Sequence, residues 1–125
     1  MAIIVYNRTK ESHSDSPNNF RIFRPYRLGN PYSWITDKET KVIYKVSSRE
    51  EALKAYDRYF DLMYRSNIKF KKVVDLIYEK YKAGEDVYLE CYCKPEPCHG
   101  DIIKEKLEKR LLKEKIEEMK NAETK

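Results

Sequence analysis

The chain has 125 residues, a net charge of +5 and 38% charged residues, which fits a single domain of ordinary size. No run of about 18 apolar residues is present, so we expect no membrane span, and the start, MAIIVYNR, lacks the pattern of a signal peptide. Three cysteines within eight positions argue against a secreted disulfide framework and favour a reducing, cytoplasmic setting.

The positive charge is concentrated in the first third of the chain. Residues 1–46 carry eight Lys and Arg against four Asp and Glu, whereas residues 47–100 carry ten against ten. Within this third, AIIVY at 2–6 predicts a buried strand, and the alternating segment 19–24 predicts a second strand. A local cationic surface of this kind can bind phosphates or other anions, with solubility as the alternative explanation.

A loop with turn signals follows the second predicted strand. Arg21, Arg24 and Arg27 recur at every third residue, and Gly29-Asn30 precedes a proline. Guanidinium groups beside a turn with free backbone N–H groups predict an anion site that uses Arg21, Arg24, Gly29 and Asn30. The alternative is a charged loop packed on the core.

The remaining elements alternate between helices and a strand. Ser48 and Glu51 have capping-box spacing and predict a helix to about residue 64; a weak strand at 42–46 precedes it. A second helix is expected over 69–82, with Gly84 as its C-terminal cap, and a strand over 87–92. Asp101 is expected to cap a last helix, so that residues 1–120 form one domain and 121–125 are disordered. The prediction is a small α/β domain in two or three layers, with three main helices and three or four mostly parallel strands.

The segment 86–101, DVYLECYCKPEPCHGD, contains all three cysteines and one of the two histidines. One interpretation is a Cys3His zinc site made by Cys91, Cys93, Cys98 and His99. A second is catalysis or ligand binding, with Cys98 as a thiolate at a helix N-terminus, His99 as acid, base or phosphate contact, and Asp101 as orienter. A third is a structural role, and the three alternatives stay open.

Two motifs resemble the DUF4326 family, an uncharacterised domain of bacteria and phages. The segment LECYCKPEPCHGDIIKEKLE resembles its C-terminal signature, and the earlier strand end and Gly-Asn-Pro-aromatic turn resemble its first motif. The matching residues are Ile22, Arg24, Pro25, Gly29, Asn30, Pro31, Tyr32, Cys91, Cys93, Pro95, Cys98, His99 and Asp101. Phe23 departs from the family, in which glycine is common at that point. The resemblance spans about residues 3–112 and implies that both motifs belong to one module.

Loops at the carboxyl ends of parallel strands meet at one edge of a sheet. We therefore expect the Arg24–Tyr32 loop and the Cys93–Asp101 loop to form one cleft that binds or turns over a phosphate-bearing, nucleotide-like small molecule. The alternative is a zinc-stabilised module for a protein or nucleic-acid partner, and direct nucleic-acid binding ranks third. We expect no membrane partner. The last helix is a candidate for self-association, and the location would be the host cytoplasm if a phage encodes the protein.

Overall fold

A computed structural model describes residues 2–13, 15–24, 26–33, 44–92, 94 and 96–123. In chain order the elements are β1 (Ile3–Asn7), β2 (Asn19–Arg21), β3 (Tyr32–Ser33), β4 (Tyr44–Lys45), α1 (Arg49–Ser66), α2 (Ile68–Lys82), β5 (Val87–Cys91) and α3 (His99–Glu123). The predicted small α/β domain with three main helices and a largely parallel sheet is confirmed. Among the described residues, none of the helices is long and apolar enough to cross a membrane.

The main sheet has three parallel strands in the order β1-β5-β2, so the last strand in the sequence lies at its centre. Leu89 of β5 is in register with Val5 on one side and with Phe20 on the other. β3 and β4 form a separate parallel pair. Because all three strands of the main sheet run the same way, their carboxyl ends lie at one edge.

Local signals define the ends of α1 and α2 as predicted. The Ser48 hydroxyl accepts from the Glu51 N–H, which caps α1. Gly84 has a φ of 93°, a left-handed value that favours glycine. Its N–H donates to the Tyr81 carbonyl, and the Glu85 N–H donates to the Lys80 carbonyl. These two bonds form a Schellman motif, which ends α2 at this point.

Two predicted boundaries were wrong. β2 ends at Arg21 and not at residue 24, because the chain turns after Ile22, where the Tyr26 N–H donates to the Phe23 carbonyl. α3 begins at His99, two residues before the predicted cap, so that Asp101 lies in its first turn. α3 also continues to Glu123 and therefore includes three of the five residues that were expected to be disordered.

The two faces of the sheet have different neighbours. Val87, Leu89 and Cys91 belong to an apolar core together with buried residues of all three helices. Tyr6 and Glu90 lie on the opposite face, where loop residues cover them: the His13 ring lies edge-on to Tyr6 and stacks on Tyr88. Helices thus pack on one face in the described part of the chain, which makes the domain two-layered.

Candidate functional site

Cys98 immediately precedes α3 and occupies its N-cap position. Its sulfur accepts a hydrogen bond from the Gly100 N–H over 3.4 Å, as a capping serine oxygen would. The Asp101 carboxylate accepts from the Cys98 N–H over 3.1 Å and also pairs with Lys94. Asp101 therefore caps α3 from within its first turn, and the start of the helix is fixed from both directions.

His99 joins the cysteine-rich segment to the chain that follows β2. The ring is buried, and its Nε2 donates to the Ile22 carbonyl. Nε2 therefore carries the proton, and Nδ1 is an acceptor 3.6 Å from the Cys98 sulfur. Burial, followed by the positive charge of Arg24, lowers the pKa of His99 to about 4. The imidazole is therefore neutral at pH 7, and it ties the start of α3 to Ile22, two residues before the predicted Arg24–Tyr32 loop.

The predicted anion-binding residues of the turn are engaged within the protein. Arg24 donates to the Asn30 carbonyl over 2.9 Å, and the Asn30 side chain accepts from the Tyr32 N–H over 2.9 Å. A Cβ on Gly29 would lie 2.9 Å from both the Arg24 nitrogen and the Tyr26 carbonyl oxygen. Arg24, Gly29 and Asn30 thus maintain the shape of the loop, whereas Arg21 lines a cleft beside β2.

Tyr56 of α1 contacts both the loop after β2 and His99. Its hydroxyl donates to the Leu28 carbonyl over 2.7 Å, and its ring lies 5.0 Å from that of His99. Burial raises the pKa of Tyr56, so the hydroxyl stays protonated and remains a donor. Tyr56 and His99 together anchor the loop between β2 and β3 to the helices.

An open cleft of about 430 Å³ lies beside β2. Its lining residues are Asn19, Phe20, Arg21, Tyr26, Arg27, Leu28 and Val73. The Tyr26 hydroxyl accepts from Arg21 over 2.8 Å, and this bond, with the nearby Glu90 carboxylate, raises the pKa of Arg21. Arg27 also lines the cleft and makes no ion pair with any described residue, so no described carboxylate neutralises its charge.

A larger cleft of about 630 Å³ lies among the helices, and three of the four cations in its lining, Lys106, Lys109 and Arg110, pair with carboxylates. Lys106 binds Asp57 and Asp61, with Nζ–O distances of 2.5 and 3.1 Å. Arg110 pairs with Asp75 at 3.2 Å. Since each of these cations has an acidic neighbour, this cleft has less to offer an anionic ligand than the cleft beside β2.

A buried carboxylate at the carboxyl edge of the sheet is the feature that the sequence analysis missed. Glu90 is 3% exposed, and its Oε1 accepts from the Tyr6 hydroxyl over 2.9 Å and from the Asn19 amide over 3.1 Å. Its Oε2 lies 3.6 Å from the Nε atoms of Arg8 and Arg21. The sequence contains only part of this signal: Arg21 and Glu90 lie in two predicted strands and Arg8 follows a third, but which strands pair is seen only in the structure.

The predicted zinc ligands are described only in part. Cys91, Cys98 and His99 are among the described residues, which contain no cluster of three or more Cys, His, Asp or Glu able to hold a metal. Cys93 lies outside the described residues, and the Cys3His site stays a prediction. The Cys91 and Cys98 side chains are both buried.

Fold and site together define a small two-layer α/β domain with a cleft that contains two arginines beside the edge strand of a parallel sheet. The family described as "Domain of unknown function (DUF4326)" matches residues 5–109, which is most of the chain. The protein therefore belongs to the DUF4326 family. A search of curated proteins and a search of solved structures each found no match.

Proposed function

We propose that this protein binds a phosphate-bearing, nucleotide-like small molecule in the cleft beside β2. The observation that carries the proposal is that Arg21, Tyr26 and Arg27 line one open cleft beside β2, the edge strand of the parallel sheet. Guanidinium groups recognise phosphate through charge-assisted hydrogen bonds. The Tyr26 ring is 42% exposed and offers a face for a base.

The cysteine-rich segment has a supporting task in this proposal. Cys98 and His99 are buried, so they hold the loop that shapes the cleft and do not contact the ligand. Turnover through Cys98, His99 and Asp101, the zinc-stabilised alternative, a cytoplasmic location and nucleic-acid binding stay predictions. So does self-association through α3, whose exposed Leu112, Ile116 and Met119 favour it.

Isothermal titration of the purified protein with adenosine monophosphate tests the proposal. Replacing Arg27 with glutamine removes one charge-assisted contact, and we expect affinity to fall about tenfold or more, with a similar loss for Arg21→Gln. The matched control is Arg58→Gln, since Arg58 is an exposed arginine of α1 outside the cleft. A wild-type protein that binds no nucleotide, or an Arg27→Gln variant with unchanged affinity, would contradict the proposal.

A further inference from the structure

Glu90, Arg8 and Arg21, which we call the arginine fork, lie beside the cleft. They are on the face of the sheet opposite the helices, which we call the open face. Both guanidinium Nε atoms are 3.6 Å from the same carboxylate oxygen, so they lie within twice that distance of each other. That oxygen is buried and accepts no hydrogen bond within the described part of the chain. A buried carboxylate is costly unless charged or polar groups compensate it, so this placement requires the two arginines to stay nearby.

The fork presents its arginines to solvent in fixed positions. Arg8 donates to the Tyr92 hydroxyl over 2.9 Å, and its guanidinium lies 4.9 Å from the centre of the Phe23 ring. Arg21 donates to the Tyr26 hydroxyl over 2.8 Å. The Arg8 and Arg21 side chains nevertheless remain 38% and 44% exposed. Each guanidinium is therefore oriented by aromatic neighbours and still accessible to a ligand.

The fork and the cleft share Arg21. The fork has two positive charges and one negative charge, and Arg27 in the adjoining cleft adds a further positive charge. A single phosphate bound between Arg21 and Arg27 would leave Arg8 without an anionic partner other than Glu90. Arg21 lines the cleft with Arg27 and shares the Glu90 carboxylate with Arg8, and three arginines connected in this way fit a ligand with two linked anionic groups.

We propose that Arg8 is a second phosphate-binding residue and that the ligand is a nucleoside diphosphate. Arg21 and Arg27 contact one phosphate, and Arg8 contacts the other. Glu90 is a positioning residue that keeps the guanidiniums of Arg8 and Arg21 at the strand ends. This inference rests on the proposed function and names the substrate class of the same site.

Titrations with adenosine diphosphate and adenosine monophosphate test the role of Arg8. We expect the wild-type protein to bind the diphosphate at least about tenfold more tightly. Arg8→Gln should remove that preference, because it should weaken binding of the diphosphate more than binding of the monophosphate. Arg8→Lys, which keeps the charge but loses the planar donor group, should keep only part of the preference for the diphosphate over the monophosphate.

Glu90→Gln gives the sharper test. Removing a negative charge beside an anion site should strengthen binding by simple electrostatics. If Glu90 positions the arginines, the variant should instead bind the diphosphate several-fold more weakly, although it is less negative. Thermal melting checks that the Glu90→Gln variant folds. If this variant is unfolded, the ratio of diphosphate to monophosphate affinity in Arg8→Lys tests the inference instead.

The outcomes separate this inference from the proposed function. If the wild-type protein binds neither nucleotide, both fail. If it binds the monophosphate with an Arg27-dependent affinity and Arg8→Gln leaves the diphosphate preference unchanged, the inference alone fails. Tighter diphosphate binding by Glu90→Gln would also overturn it. The inference would also be overturned if a short single-stranded oligothymidylate bound in an Arg8-dependent manner and the diphosphate did not bind. The ligand would then be a single-stranded nucleic acid.

Discussion

Leu89 and Glu90 are neighbours in β5, and both are almost completely buried, yet their surroundings differ in kind. Leu89 packs in an apolar core with three helices, where stabilisation follows from the area removed from water. Glu90 is enclosed by hydroxyl, amide and guanidinium groups from β1, β2 and the residue after β1. The stability that the helix-covered face provides does not depend on charges that salt would screen. The open face holds charged groups in fixed orientations.

Shortening the core residue should have the largest effect. Leu89→Ala is expected to lower the free energy of unfolding by about 2–5 kcal/mol, because Leu89 is fully buried and its loss leaves a cavity. Urea denaturation at low and at high salt measures this loss, which should be equal in both. Leu76→Ala on the exposed surface of α2 is the matched control, with a change within about 0.5 kcal/mol. A loss that depends on salt would weaken the distinction between the faces.

Low pH should destabilise the protein at His99, whose buried ring binds the Ile22 carbonyl. The pKa of His99 in the folded protein, about 4, lies below its ordinary value of 6.5, so the unfolded chain takes up the proton first as the pH falls. Stability contributed by the neutral ring is complete above pH 6.5 and is lost as the pH falls to about 4, by about 3 kcal/mol in total. Urea denaturation of wild type and His99→Gln across this range isolates the effect, because the carboxylates are common to both. Equal pH slopes would show that His99 does not titrate as described.

The smallest effect is expected from a hydroxyl on the open face. Tyr6→Phe removes one donor to Glu90, but the Asn19 amide still donates to the same oxygen. Stability should therefore fall by only about 1 kcal/mol in urea denaturation. Tyr56→Phe is the comparison on the helix-covered side, where the Leu28 carbonyl would lose a buried donor and the loss should reach about 1–3 kcal/mol. A larger loss of stability for Tyr6→Phe than for Tyr56→Phe would contradict the description of Glu90 as a carboxylate with several donors.

Features set by neighbouring residues could be predicted from the sequence. Ser48 and Gly84 define helix ends through contacts only a few residues away. The length of β2 could not be predicted, because it depends on pairing with β5, about 70 residues later in the chain. The start of α3 was ambiguous for a local reason: an aspartate can serve before a helix or in its first turn, and Asp101 does the latter.

The candidate site was predictable in its location but not in its chemistry. Topology placed the chain after β2 near the chain after β5, and the bond between His99 and the Ile22 carbonyl joins these two parts; a cleft formed by both predicted loops stays a prediction. Which arginine points outward depends on backbone turns that the sequence does not reveal, so Arg24 and Arg21 looked equivalent. From the sequence, Glu90 is only one residue of the strand predicted over 87–92. Its role follows from the strand order β1-β5-β2.

That strand order also affects how the protein is made. β5 pairs with both other strands of the main sheet, and it emerges from the ribosome long after β1 and β2. At typical rates of synthesis, β1 waits on the order of ten seconds for its partner. During this time the apolar segment Ile3–Asn7 has no strand of this sheet to pair with, and such segments are prone to aggregate or to bind chaperones. The nascent chain should therefore change abruptly from protease-sensitive to protease-resistant once β5 and the first turns of α3 have left the exit tunnel.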